Sequence, residues 1–217
     1  LPDRDRLTRT VFLEYDGSGK RTDFSIAPSI IRSRRRLTYE QALDLMKGDY
    51  TGDPELEAFF VGVTRLSRIL KAAAVVRGAL DLGSAEFRTR FGGDGMPEGF
   101  DPVPDDMARG MIESFMVEAN RAVADYCRWL ELPVMYRVHD EPAPDSIDNL
   151  RSMLSPLGLG FGGRGVPGPV EYASMLTRAR KLPQWPLVRE ASLRALQKAV
   201  YLPVKNPVII RGNLYLN

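Results

Sequence analysis

Asp105-Asp106-Met107-Ala108-Arg109-Gly110-Met111-Ile112-Glu113-Ser114-Phe115-Met116-Val117-Glu118-Ala119-Asn120-Arg121-Ala122-Val123-Ala124-Asp125-Tyr126-Cys127-Arg128-Trp129-Leu130-Glu131 is the stretch that decides the architecture. Met107, Met111, Phe115, Ala119, Ala122, Tyr126 and Leu130 recur at helical spacing and form one apolar stripe. This is the strongest helix in the chain. Before it, Thr8–Tyr15 is β-branched and aromatic and reads as a strand. Asp16-Gly17-Ser18-Gly19 is a turn, and Thr22–Arg34 is a second strand that completes a hairpin. Thr38 and Gln41 form a capping box for a short helix to Lys47. Asp53 as N-cap with Pro54 behind it starts a longer helix to Val76, whose Phe59, Val63, Leu66, Leu70 and Ala73 keep helical spacing. Glu86–Phe91 is a short strand, and the Gly- and Pro-rich stretch 92–104 is a loop. After the long helix come a buried strand Val134–Val138, a helix Asp145–Leu154 and a mobile loop over 158–168. Two helices follow, Val170–Arg180 and Leu187–Val200. No repeat is visible. The fold class expected is α+β, a mixed sheet with packed helices.

The 217 residues, 44% hydrophobic and 27% charged, are ordinary for a globular chain rather than a disordered one. A chain of this size buries about 70% of its unfolded surface and needs no staple. One Cys and one His exclude a disulfide framework, a Cys-rich zinc site and a multi-His metal centre. No apolar run reaches the roughly 20 residues of a membrane span and no signal peptide leads the chain, so a cytoplasmic location is the default expectation. The net charge is +2, but residues 1–36 carry +4, residues 37–150 carry −10 and residues 151–217 carry +8. Basic ends favour a polyanionic partner. Twenty-four of the thirty cations are Arg, which suits phosphate or simply reflects a GC-rich genome. The start at Leu1 and the stop at Asn217 read as a segment cut from something larger.

Four candidate chemistries stand beside plainer readings. Gly158, Gly160, Gly162, Gly163 and Gly165 follow a helix instead of a strand and lack a Gly-Lys-Ser/Thr ending, so they read as an ordinary loop. His139 ends a strand, and Cys127 lies beside the apolar stripe. A structural histidine and a core thiol are favoured over a catalytic pair. Asp101, Asp105 and Asp106, and again Asp140, Glu141, Asp145 and Asp148, sit at helix starts, where negative charge complements the helix dipole. They make no convincing metal site. Arg32, Arg34 and Arg36 would share one face of a strand, with Tyr39 next. Charge beside a ring suits single-stranded nucleic acid, while a solvated edge strand guarded by charge is the favoured plain reading.

Five stretches, in order, resemble the catalytic (RNB) domain of the ribonuclease II / ribonuclease R family of 3′-to-5′ exoribonucleases. Ser29-Ile30-Ile31-Arg32-Ser33-Arg34-Arg35-Arg36-Leu37-Thr38-Tyr39 matches the family's S-x-I-x-S-x-x-x-L-x-Y segment. Gly78-Ala79-Leu80-Asp81-Leu82-Gly83-Ser84-Ala85-Glu86 is the second. Ile112-Glu113-Ser114-Phe115-Met116-Val117-Glu118-Ala119-Asn120 is similar to its I-E-E-F-M-x-x-A-N helix. Tyr136-Arg137-Val138-His139-Asp140-Glu141-Pro142 and Leu196-Gln197-Lys198-Ala199-Val200-Tyr201 with Asn206-Pro207 complete the set. The resemblance covers about residues 6–207, so residues 1–207 are expected to be the interior part of such a domain and 208–217 an atypical tail, native or not.

The resemblance implies hydrolysis of single-stranded RNA to nucleoside monophosphates. It implies magnesium in the complete enzyme, held by an Asp cluster that this chain lacks, and a catalytic Arg segment that it also lacks. No cofactor is expected on this chain, no catalytic residue within it, and no membrane or obligate protein partner. Ser114 stands where the family has the second Glu of its pair, leaving Glu113. Tyr39 would lie beside the terminal nucleotides, Glu113 would accept from ribose hydroxyls, and Phe87 would stack on a base. For Tyr39 the functional reading is favoured over packing at a helix start. For Glu113 an ordinary surface acid weighs equally. A non-catalytic single-stranded RNA-binding module and a helical protein-interaction domain remain as rivals.

Overall fold

The computed structural model describes residues 3–49, 52–80, 82–83 and 87–203. Strands β1 (Asp5–Tyr15) and β2 (Arg21–Arg32) form the expected hairpin. Helices α1 (Tyr39–Lys47) and α2 (Pro54–Val76) follow, then strands β3 (Phe87–Phe91) and β4 (Pro97–Pro102) and the long helix α3 (Met107–Trp129). Strand β5 (Met135–Val138), helices α4 (Pro144–Leu154), α5 (Pro169–Ala179) and α6 (Trp185–Ala195), and strand β6 (Val200–Pro203) complete the order. The α+β reading holds, with its strands drawn into three small two-stranded sheets among the described residues.

Three expectations need correction. The stretch 92–104 is not all loop: β4 pairs antiparallel with β3, Thr89 opposite Phe100. Prolines at both ends of β4 and Gly99 within it hide a strand whose order comes from its partner. The last helix does not reach Val200. It stops at Ala195, and Val200 starts β6, which pairs with β5 across Val138. Strand β2 ends at Arg32, so Arg34 and Arg36 lie beyond the alternation that would have put them on its face. Residues Asp81 and 84–86 of the second family-like stretch, Asn206-Pro207 and the tail 208–217 lie outside the described residues.

The chain divides into two compact units. The first comprises Leu1–Thr10, Ala27–Arg68 and Gly83–Met116. Its core joins Ala42, Leu45 and Met46 of α1 to Phe60 of α2 and to Ala108 and Met111 of α3. The i, i+3, i+4 spacing on α1 gives that helix its buried face. Its ends are fixed locally: the Thr38–Gln41 capping box closes the start, and Gly48, at φ 98°, ends it in the left-handed region.

The second unit comprises Val11–Ile26, Ile69–Leu82 and Val117–Asn217. Ile147, Leu150 and Leu154 of α4 pack with Tyr172, Met175, Leu176 and Ala179 of α5 and with Val188 of α6. Each fully buried Leu or Val here stabilises the unit by about 1.5–3 kcal/mol. The Tyr172 hydroxyl donates to the Ser192 carbonyl at 3.1 Å, so the ring is buried without stranding its polar end. Gly78, at φ 87°, lets the end of α2 approach the start of α5. A Cβ there would stand 2.7 Å from the Val170 backbone nitrogen.

Candidate nucleic-acid interface

In the first unit, Tyr39 is the first residue of α1, so the capping box that starts the helix also sets where its ring stands. The ring is 42% exposed, and the Arg109 guanidinium lies 4.4 Å above its centroid. Arg109 is itself held. It pairs with Asp106, whose carboxylate also accepts from the backbone N–H groups of Ala108 and Arg109 at 2.9 and 3.0 Å. Asp106 is therefore the cap of α3, as its place at a helix start suggested. Glu40, next to Tyr39, has its carboxyl held low by backbone and Thr38 hydrogen bonding and, more weakly, by Arg109 and Arg88. The starts of α1 and α3 and strand β3 thus put cations around an exposed ring.

Glu113 is exposed on α3, one turn beyond Arg109 on the same side of the helix. Phe87 is 59% exposed on β3. Thr89 faces Phe100 across the hairpin, which sets Phe87 and Phe100, itself 70% exposed, on one surface of that sheet. An exposed aromatic hairpin beside cations is a surface that can stack bases and answer phosphates.

Three arginines of the basic run are paired with carboxylates. Arg32 pairs with Asp5 at 2.7 Å, Arg34 with Glu55 at 3.2 Å and Arg35 with Asp53 at 2.6 Å. Two of these tie the approach to α1 to the start of α2. They are exposed pairs of small energetic weight that set the path of the chain.

His139 and the glycine-rich loop take structural places, while Cys127 is less deeply placed than the core thiol expected of it. In the second unit, the Nδ1 atom of His139 lies 3.1 Å from the Gln197 carbonyl, which ties the buried ring just past the end of β5 to the segment leading into β6. Cys127 is half-buried with a free thiol. The glycine-rich loop turns its carbonyls toward arginines: Arg151 donates to Gly163 and Arg164, and Arg178 to Gly160. A phosphate cradle would present N–H groups instead. Among the described residues no three His, Cys, Asp or Glu side chains are grouped as metal ligands would be.

Sequence reasoning missed Glu118. It lies on the buried face of α3, between Met111 and Ala122, and is 3% exposed. Its Oε1 accepts from Arg77 and Arg121, each at 2.7 Å, and its Oε2 accepts from the Tyr15 hydroxyl at 3.0 Å. Partial burial and the Glu118 charge push the Tyr15 hydroxyl up to about 12. Burial, and after it the like charge of Arg121, draws the Arg77 guanidinium down. The only signal available was an acid placed beside the apolar stripe with Arg121 three residues on.

A model of the RNB domain matches residues 1–210. Ribonuclease R of Thermotoga maritima is 31% identical over 207 residues, covering 93% of this chain and 29% of the relative. Ribonuclease R of Aquifex aeolicus is 32% identical over 209 residues, with the same two shares, 93% and 29%. The chain therefore spans about three tenths of the length of these curated relatives. Among solved structures, Mycoplasma genitalium RNase R in complex with ribose-methylated single-stranded RNA superposes with a TM-score of 0.87 at 23% identity. That match covers 100% of this chain and 34% of the other. A yeast pseudonuclease superposes with a TM-score of 0.66 at 14% identity, over 94% of this chain and 24% of the other. Both likenesses concern the fold.

Proposed function

The chain belongs to the RNB domain family, and on that premise we propose that it is the interior part of a 3′-to-5′ exoribonuclease that hydrolyses single-stranded RNA processively to nucleoside monophosphates. The observation that carries this reading within the chain is Tyr39, an exposed ring fixed by a helix cap and crossed by Arg109. A terminal base stacks on such a ring without regard to sequence, and Arg109 and Arg88 supply charge for the adjoining phosphates. Phe87 stacks a second base from β3. Glu113 accepts hydrogen bonds from ribose hydroxyls, which selects RNA over DNA.

This chain binds and orients, and the cleavage machinery lies in other segments of the polypeptide. The resemblance puts the magnesium ligands of the complete enzyme outside this chain, and no step here is routed through that ion. Without metal ligands or the Arg segment, charge on the transferring phosphate goes unstabilised, and the isolated chain is inert. Residues 1–207 form the domain portion, residues 208–217 a departure from it, and the protein works in the cytoplasm on RNA without an obligate protein partner. Among the described residues no helix is long and apolar enough to cross a membrane.

The test is degradation of end-labelled single-stranded RNA with magnesium, by this chain and by a longer polypeptide that includes the family's Asp cluster and Arg segment. Release of mononucleotides from the 3′ end by the longer protein alone supports the reading. If both bind RNA in a salt-sensitive way and neither cleaves, the chain is a non-catalytic RNA-binding module. The yeast pseudonuclease likeness keeps that outcome in view.

A further inference from the structure

The tip of the first hairpin and helix α2 enclose an open recess of about 540 Å³ within the second unit. Four cationic side chains line it, Lys20, Arg21, Arg77 and Arg121, against one carboxylate, Glu118. Arg21 is answered by Asp125. Arg77 and Arg121 share a single oxygen of Glu118. Two positive charges are left over.

The recess holds them in a setting that favours an anion. Ala72, Ala73 and Val76 form its apolar side, so the polar contacts it offers come from the cations. The Nη1 atom of Arg21 is buried without a hydrogen-bond partner, a donor left unused at a cost. The lowered Arg77 guanidinium points the same way, since it reflects burial and the neighbouring Arg121 charge. Gly19 fixes the geometry. At φ 80° its Cα packs so closely on α2 that a Cβ would stand 2.8 Å from the Ile69 side chain. That contact brings Lys20 and Arg21 against the helix.

We propose that this recess is a phosphate-binding site. Arginine forks match phosphate oxygens, and a space of this size admits the nucleoside attached to the phosphate as well. The phosphate comes either from a free nucleotide or from a diester in an RNA strand. None of Tyr39, Phe87 and Glu113 lines the recess, so the site stands apart from the reading given above.

The experiment titrates the 217-residue chain at low salt with inorganic phosphate, adenosine monophosphate and an unphosphorylated oligoribonucleotide, following the Nε–H resonances of Arg21, Arg77 and Arg121 by NMR. At least one ligand is expected to shift these resonances saturably. Ala72→Glu, which adds a carboxylate at an exposed helix position in the recess, is expected to weaken that binding about tenfold or more. Lys20→Ser, at the exposed rim, is a second variant that leaves the Glu118 bonds intact. Shifts with phosphate or the monophosphate identify a free-nucleotide site, and shifts with the oligonucleotide alone identify a strand site. Either supports the proposal. It is overturned if no ligand moves these arginines, or if both recess variants bind as tightly as the parent chain.

Discussion

The Arg109 guanidinium lies 4.4 Å above the Tyr39 ring, and Asp106, which caps α3, holds Arg109 there. One helix start thus orients an aromatic residue at another. The arrangement makes Tyr39 a preset platform, so that less rotamer entropy is lost when a base stacks on it.

Tyr39→Ala is expected to weaken binding of a short single-stranded RNA by about 1–3 kcal/mol, with Tyr39→Phe retaining most of the affinity. Fluorescence anisotropy at fixed salt reads both. Equal losses for Ala and Phe would place the hydroxyl, and not the ring, in the contact.

Glu113→Gln is expected to narrow the preference for RNA over DNA of the same sequence, because a neutral amide accepts more weakly from ribose hydroxyls. Glu113 is exposed, so thermal stability should stay within about 0.5 kcal/mol of the parent chain. Unchanged RNA and DNA affinities would return Glu113 to the role of an ordinary surface acid.

Gly19→Ala is expected to destabilise the chain by roughly 1–3 kcal/mol, since it combines a left-handed backbone with a close approach to the Ile69 side chain. Urea unfolding checks this. Gly17, with open space where a Cβ would stand, is the control.

Tyr15 is expected to ionise near pH 12, late for a phenol. The neutral phenol donates to Glu118, and the folded-state value lies above the ordinary 10.0. Its contribution to stability is therefore complete below pH 10 and is lost as pH rises through 12. Phenolate absorbance of the parent chain minus that of Tyr15→Phe isolates the step. A difference curve centred near pH 10 would contradict the burial of this bond.

Glu118→Leu is expected to cost about 3–5 kcal/mol at most, because it leaves Arg77 and Arg121 facing each other across an apolar side chain. Both arginines are about a third exposed, at 37% and 32%, so solvent screening pulls the loss toward the lower end or below it. Denaturant melts at low and high salt measure it, and salt should recover part of the loss.

What the sequence determined by itself was local. The Thr38–Gln41 capping box, the Asp53–Pro54 start and the apolar periods of α2 and α3 are governed by hydrogen bonds and packing within a few residues, and each element formed close to its expected bounds. Tyr39 was legible as a site candidate because a family-like segment and a cap coincide on it. What only the tertiary structure decided depended on partners distant in the chain. Strands β4 and β6 are ordered by pairing with β3 and β5: β4 carries little propensity of its own, and β6, though it opens with Val200 and Tyr201, is only four residues long. Arg34 and Arg35 turned to Glu55 and Asp53, which chain spacing does not reveal. Glu118 is buried because Tyr15 and Arg77, far away in sequence, meet it together with Arg121. A lone acid on a helix reads as exposed. Only the fold can bring the donors that make its burial affordable.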